Sequence, residues 1–214
     1  MNCIVTAGPT FEPLDDVRRL TNFSTGRLGT ELANYLADRG HTVTLLLGES
    51  ATWAGPRRAQ TVRRFDSGRN LRAGLQARAR QPVDAIFHAA AVGDFSFGRV
   101  FTRDAAGRLE RFTRTRKLTT RGGPLLVELV PTPKIIARLR DWFPRARLVG
   151  WKYEADGARA DALRAARNQI ADCTTDACVA NGPAYGQGFG LVTARGRKHF
   201  AAEQQLFAAL EKLL

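Results

Sequence analysis

The alternation of apolar strand-like segments with helical segments is the feature that most restricts how this sequence folds. Residues 3–7 and 41–47 are predicted to be buried strands, and residues 26–39 between them carry leucines four positions apart. A further buried strand is predicted at residues 84–92. Parallel strands joined by helices form a sheet that is covered on both faces. We therefore predict an α/β fold with a Rossmann-like, doubly wound, mostly parallel sheet and helices on both faces.

The rest of the chain continues this pattern, with one interruption. The polar stretch at about 97–123 shows no clean period and is predicted to be an irregular basic flap. With 214 residues, the chain is long enough for one well-buried domain, so residues 1–214 are interpreted as a single domain that contains this insert. The further predicted elements are strands at 61–65, 125–130, 147–151, 177–180 and 190–193, and helices at 69–79, 132–142, 158–171 and 201–214.

The amino terminus and the cysteines indicate a cytoplasmic protein. Residues from Met1 run directly into a strand without a signal-like segment, and no window reaches the roughly 18 apolar residues of a membrane span. The three cysteines (Cys3, Cys173 and Cys178) show no metal-binding or redox spacing, so we expect free, inert thiols.

The formal net charge of +13 favours ligands that carry phosphate, because a basic surface steers anions toward it. A non-enzymatic nucleotide or nucleic-acid binder is an alternative interpretation. However, the sequence contains no recognisable helix-turn-helix, zinc finger or basic helix, so nucleic acid is not expected as a partner.

The loop after the first strand is the leading candidate for a ligand site. It runs to the start of the predicted helix 26–39, where Ser24, Thr25 and Gly26 lie at a helix amino terminus that favours a phosphate. An NAD(P)-dependent oxidoreductase is the second alternative. Its compact G-x-G-x-x-G spacing is absent, and none of the three tyrosines is followed four residues later by lysine.

Four segments resemble the phosphopantothenate-cysteine ligases of coenzyme A biosynthesis. Residues 6–29 read TAGPTxEPLDxVRxxxNxSTGxxG, which is similar to the signature of that family. The segments AAAVGDF at 89–95, RTRK at 114–117 and VAN at 179–181 agree with later family motifs in the same order. The resemblance therefore extends over nearly the whole chain.

This resemblance implies a ligase that joins 4'-phosphopantothenate to L-cysteine through an acyl-nucleotide intermediate. It implies that Asn22 holds the intermediate, that Arg18 binds phosphate, and that Lys117 belongs to a basic flap that closes over the site. The further residues that it implies for nucleotide or phosphate binding are Gly8, Thr10, Ser24, Thr25, Gly26, Ala90, Ala91, Asp94, Arg114, Arg116, Trp151 and Lys152.

The resemblance also carries expectations about co-substrates and partners. Mg²⁺ with CTP or ATP is expected, with metal ligands that the sequence does not identify. The sequence GWKYE at 150–154 differs from the bacterial family pattern, so the choice of base stays open. No flavin is expected, because the histidines show no arrangement typical of the flavin-binding decarboxylase. A separate decarboxylase and a homodimer are expected, and His88 is interpreted as a core residue.

Overall fold

The computed structural model describes residues 1–104, 106–112, 118 and 123–214. Thirteen strands lie within these residues, and they form three sheets of eight, three and two strands. In chain order they are β1 Asn2–Ala7, β2 Phe11–Pro13, β3 Arg19–Thr21, β4 Thr42–Gly48, β5 Thr61–Phe65, β6 Ala85–His88, β7 Phe95–Arg103, β8 Leu109–Phe112, β9 Leu125–Pro131, β10 Arg147–Tyr153, β11 Ala177–Asn181, β12 Phe189–Thr193 and β13 Gly196–Phe200.

The main sheet has eight strands in the order β13-β12-β11-β10-β6-β1-β4-β5. The six strands from β11 to β5 are parallel to one another, whereas β12 and β13 are antiparallel additions at one edge. Because the chain leaves β1 first to β4 and β5 and later to β6 and β10, the sheet is wound in both directions from β1. The predicted mostly parallel, doubly wound sheet is confirmed.

Helices cover both faces of this sheet. They are α1 Arg27–Asp38, α2 Gly68–Arg78, α3 Leu139–Trp142, α4 Arg159–Cys173 and α5 Glu203–Glu211, and a 3₁₀ turn at Ile136–Arg138 precedes α3. Alternate residues of β1 point to opposite faces. Val5 packs in the cluster that contains buried residues of α1 and α5, whereas Ile4 packs with residues of α2 and α3. Across the described residues, no helix combines the length and apolar character that a membrane span requires.

Helix α1 follows its predicted pattern closely. Leu32 and Leu36 are fully buried, and the chain leaves the helix at Gly40, whose φ of 85° is a left-handed conformation that glycine adopts without a steric penalty. The predicted strand at 84–92 is shorter than expected and ends at His88. Beyond it, the backbone bends toward the first loop, where the Ala89 N–H donates to the Thr6 carbonyl at 3.2 Å.

The predicted helix at 132–142 begins later than expected. Thr132 is bound to the loop after β6, since its N–H donates to the Asp94 carbonyl at 2.9 Å and its hydroxyl donates to the Gly93 carbonyl at 2.6 Å. These contacts hold residue 132 outside a helix, and Pro133 is therefore not the first helical residue. The helical backbone starts with the 3₁₀ turn at Ile136.

The prediction of an irregular flap at 97–123 is wrong for the described part of that insert. Strands β7, β8 and β9 form a separate antiparallel sheet in the order β8-β7-β9. A register shift between Phe97 and Val100 interrupts the alternation of side chains along β7. This bulge, together with the many arginines and threonines, conceals the period of two in the sequence. The sequence also gave no signal for the hairpin β2–β3 or for the edge strand β13.

Candidate functional site

The connection between β1 and α1 contains its own structure, the antiparallel hairpin β2–β3. It ends at Gly26, whose φ of 78° places it in the left-handed region before the first turn of α1. Gly29, one turn further, allows α1 to approach the sheet closely: a Cβ atom there would lie 2.7 Å from the Ala7 Cβ. A long connection with a hairpin differs from the short strand-to-helix turn of a dinucleotide-binding motif.

The structure brings four predicted site residues together beside the end of β6. The Asn22 Nδ2 atom donates to the Ala91 carbonyl at 3.1 Å. The same carbonyl accepts the Thr10 N–H at 3.1 Å, and the Ala91 N–H donates to the Gly8 carbonyl at 3.0 Å. The loop after β1 and the loop after β6 are therefore joined at the carboxyl edge of the sheet, where ligands of open α/β sheets bind. The roles of these residues stay predictions.

Thr10 and Asp94 continue this junction toward β9. The buried Thr10 hydroxyl oxygen accepts the Gly93 N–H at 2.8 Å. The Asp94 carboxylate is exposed and forms an ion pair with Lys134 at 2.8 Å. Lys134 is a residue that sequence reasoning missed, because it lies in a different segment and belongs to no recognised motif.

The amino terminus of α1 lies at the same edge as these loops. Gly26 provides no side-chain cap, and the first turn of the helix contains no acidic residue. Ser24 and Thr25 precede it, and the Thr25 carbonyl accepts the Trp53 N–H at 3.1 Å. The Arg27 N–H donates to Thr25 Oγ1 at 3.3 Å, and the other N–H groups of the first turn, together with the helix dipole, favour an anion.

Most of the buried side-chain polar atoms without a hydrogen-bond partner lie near the same edge of the sheet. Within the described residues they are Ser50 Oγ, Trp151 Nε1, Thr175 Oγ1 and Asn181 Oδ1. Ser50 follows β4, Trp151 lies toward the end of β10 and Asn181 ends β11, so three of the four lie near the carboxyl ends of parallel strands. Because buried polar groups in proteins almost always have a partner, these atoms are candidates for contacts with a polar ligand.

Trp151 and Lys152 are neighbours on β10 that point to opposite faces of the sheet. The Trp151 ring packs against the core that includes α1 and α5. The Lys152 ammonium forms an ion pair with Glu154 at 3.0 Å. The Trp151 side chain is half-buried against this core, and its stacking on a base stays a prediction.

Arg18 makes contacts that the sequence did not indicate. Its guanidinium donates to the Asp15 carboxylate and, through Nη2, to the Leu118 carbonyl at 2.8 Å. Arg18 remains partly exposed, with 43% of its side-chain surface accessible, so a phosphate role also stays a prediction. Lys117, Arg114 and Arg116 lie outside the described residues.

His88 is buried at the end of β6, as predicted for a core histidine. Its Nδ1 lies 3.0 Å from the Thr6 hydroxyl, which in turn accepts the Ala90 N–H at 3.1 Å. Burial lowers the pKa of His88 to about 4, so the ring is neutral near pH 7. The neutral ring forms a hydrogen bond with the Thr6 hydroxyl and so supports the turn that contains Ala90.

The described residues offer no group of three or more histidine, cysteine, aspartate or glutamate side chains that could hold a metal ion. The three cysteines are free thiols, and burial raises the pKa of Cys3 to about 11 and that of Cys178 to about 12. Both thiols are therefore protonated and unreactive near neutral pH.

A cavity of about 600 Å³ lies at the opposite, amino edge of the sheet. Its lining includes Asp84, Arg147 and Asp176, each of which stands at or just before the start of a strand. Ligands of parallel α/β sheets bind beyond the other ends of the strands, so we assign the candidate site to the carboxyl edge.

The fold and this junction of loops define an α/β protein with a doubly wound sheet and a candidate ligand site at its carboxyl edge, beside an elaborated first loop. The family model described as "DNA/pantothenate metabolism flavoprotein C-terminal domain" matches residues 1–212. The chain therefore belongs to this family, as the resemblance predicted.

Individual relatives agree with this assignment. The coenzyme A biosynthesis bifunctional protein CoaBC of Thermococcus kodakarensis is 31% identical over 180 residues, which cover 83% of this chain and 40% of the relative. The chain thus spans about two fifths of the length of this curated relative. The crystal structure of the DNA/pantothenate metabolism flavoprotein from Streptococcus pneumoniae matches with a TM-score of 0.85 and 22% identity, covering 99% of this chain and 97% of that one.

A histidine-to-alanine variant of Cab2 in complex with phosphopantothenate-cysteine also has this fold. It matches with a TM-score of 0.73 and 18% identity, and covers 99% of this chain and 88% of that one. At these identities the two solved structures support the fold, and the family assignment depends on the sequence match.

Proposed function

We propose that this chain joins 4'-phosphopantothenate to L-cysteine in coenzyme A biosynthesis, using a nucleoside triphosphate to activate the carboxylate. The family match over residues 1–212 and the names of the relatives support the pathway. The observation that carries the proposal is the contact of Asn22 with Ala91, which joins two segments of the ligase signature at the ligand edge of the sheet.

The proposed reaction has two steps. The carboxylate of 4'-phosphopantothenate attacks the α-phosphate of the nucleotide, which forms an acyl nucleotide and releases pyrophosphate. The cysteine amine then attacks the acyl carbon, forms the amide, loses a proton and releases the nucleoside monophosphate. A neutral amide such as that of Asn22 suits this chemistry, because it donates a hydrogen bond to the mixed anhydride and does not attack it.

The roles of the other residues are proposed from the sequence resemblance and, for α1, from its place at the carboxyl edge of the sheet. The amino terminus of α1, with Ser24 and Thr25 before it, is proposed to bind phosphate through backbone N–H groups. Arg18 and the basic segment that contains Lys117 are proposed to supply positive charge. Because triphosphates usually carry Mg²⁺ into their sites and the described residues form no metal cage, the ion is proposed to enter with the nucleotide.

The experiment is a product analysis. Purified protein with 4'-phosphopantothenate and either CTP or ATP should release pyrophosphate, and addition of cysteine should yield the amide and the nucleoside monophosphate. Nucleoside diphosphate with inorganic phosphate would instead indicate acyl-phosphate chemistry and would contradict the proposal. Comparison of CTP with ATP in the same assay determines the preferred base.

A further inference from the structure

Both backbone polar groups of Leu118 form hydrogen bonds with residues that are distant from it in the sequence. Its N–H donates to Asp15 Oδ2 at 3.0 Å, and its carbonyl accepts Arg18 Nη2 at 2.8 Å. The leucine side chain is itself buried, with 3% of the residue exposed. The insert is therefore fastened to the first loop at this residue by two hydrogen bonds and by apolar packing.

Asp15 is the centre of this arrangement. Its side chain is fully buried and accepts the backbone N–H groups of Val17 at 2.9 Å and of Arg18 at 2.7 Å. The Arg18 guanidinium adds two further donors, at 3.0 and 2.5 Å. Such a set of donors is what a buried carboxylate requires to remain charged, and the hydrogen bonds from Arg18 hold the pKa of Asp15 well below its usual range.

Both ends of this contact lead directly to residues with proposed roles. Arg18 is followed by β3, and Asn22 comes immediately after that strand. Leu118 is preceded in sequence by Lys117, the cation proposed for the flap. Because Lys117 is bonded directly to Leu118, a displacement of Leu118 also displaces the backbone attachment of Lys117.

We propose that Asp15 and Arg18 act as one clamp on Leu118, and that turnover depends on this attachment of Leu118 to the first loop. Asp15 is then a positioning residue, because it touches no reacting atom and acts through Leu118 and Arg18. This inference rests on the proposed ligase function for its kinetic part only. Its structural part concerns the attachment of the insert and requires no substrate.

Asp15→Asn is the test, and Asp16→Asn is the matched control. The asparagine amide would place a donor against the donors of Arg18 and Leu118, whereas the exposed Asp16 carries the same change in charge at the next residue. We expect Asp15→Asn to lower kcat by about 10- to 100-fold with KM for the nucleotide within about twofold, because misplacement affects the reacting complex more than binding. Asp16→Asn should match the wild-type protein.

Tryptic cleavage between residues 113 and 122 is the second measurement, since that stretch contains four basic residues. Asp15→Asn should be cleaved there at least several times faster than Asp16→Asn, with an unchanged far-ultraviolet spectrum. If Asp15→Asn fails to fold, Arg18→Lys takes its place, because lysine keeps the charge but lacks the planar fork that reaches Asp15 and Leu118 together.

A double substitution tests whether the two residues act as a unit. Asp15→Asn with Arg18→Lys should be no slower than the slower single variant, since either change releases Leu118. If the reductions in kcat of the two single variants multiplied in the double variant, the clamp would be overturned. Wild-type rates of cleavage and turnover in Asp15→Asn would also overturn it. Absence of ligase activity in the wild-type protein, together with faster cleavage of Asp15→Asn, would overturn the proposed function and leave the attachment supported.

Discussion

The orientation of the Asn22 side chain is fixed in the structure by its hydrogen bond to the Ala91 carbonyl. Asn22→Asp would remove this donor and place a negative charge beside a carbonyl oxygen. Because Asn22 is exposed, the cost in folding stability should be small. The loss of a hydrogen bond to a charged intermediate is worth roughly 1.5 to 3 kcal/mol, or about one to two orders of magnitude in rate.

We therefore expect Asn22→Asp to abolish most amide formation while part of the pyrophosphate release survives. The measurement is pyrophosphate release against amide yield in one sample. Asn168→Asp, an exposed change of the same kind on α4, is the control and should affect neither. Equal loss of both half-reactions, or loss of neither, would mean that Asn22 serves only to shape the loop.

His88 predicts a pH dependence of stability. Its folded pKa of about 4 lies below the unfolded value near 6.5, so the unfolded chain binds more protons between these values. The free energy of unfolding should therefore be highest above pH 6.5 and fall as the pH is lowered toward 4, by up to about 3 kcal/mol from this residue. The free energy of unfolding, measured in urea at pH 7 and at pH 5, should differ less between the two pH values in His88→Gln than in the wild-type protein. An identical difference would contradict the assignment.

At the scale of elements, the contact between α1 and β1 depends on Gly29. Its Cβ would lie 2.7 Å from Ala7 Cβ and 3.1 Å from the Thr6 carbonyl oxygen, so Gly29→Ala must move the helix away from the sheet. We expect a loss of about 1 to 3 kcal/mol.

The matched control is Gly74→Ala in α2, where the nearest neighbour of a new Cβ is Leu46 Cδ1 at 4.0 Å. That change should raise stability by about 0.4 to 1 kcal/mol, because alanine restricts the unfolded chain. Chemical denaturation of each variant measures the change in its free energy of unfolding. A stability of Gly29→Ala equal to that of Gly74→Ala would refute the close approach of α1.

The elements that the sequence predicted well are those whose side-chain pattern alone decides the structure. The leucines of α1 bury one face of a helix, and β4 contains the buried apolar run Leu45, Leu46 and Leu47. Strand β9 was predicted, but the hairpin β2–β3 and strands β7 and β8 were not, because β2 and β3 have only three residues each and a register shift interrupts the alternation along β7. The clamp at Leu118 joins residues about 100 positions apart, and no local pattern reports such a contact.

At the scale of the whole molecule, the sheet β8-β7-β9 is the surface that we expect to join two copies of the chain. Phe95 of β7 and Leu129 of β9 lie on the same face of this sheet, and their large apolar side chains remain exposed in the single chain. Light scattering should give twice the 23.5 kDa of one chain, and Leu129→Glu should lower that mass. A mass of 23.5 kDa for the wild-type protein at working concentrations would contradict the dimer.

The hydrogen bond between Asn22 and Ala91 also bears on the design of inhibitors. A compound that accepts a hydrogen bond from the Asn22 amide can break the hydrogen bond between Asn22 and the Ala91 carbonyl. In that case one hydrogen bond replaces another, and the compound gains little affinity from it. A compound that carries an acceptor for Asn22 and, beside it, an N–H or O–H for Ala91 would satisfy both groups. Screening should therefore favour fragments with this paired donor and acceptor over simple acyl-nucleotide mimics.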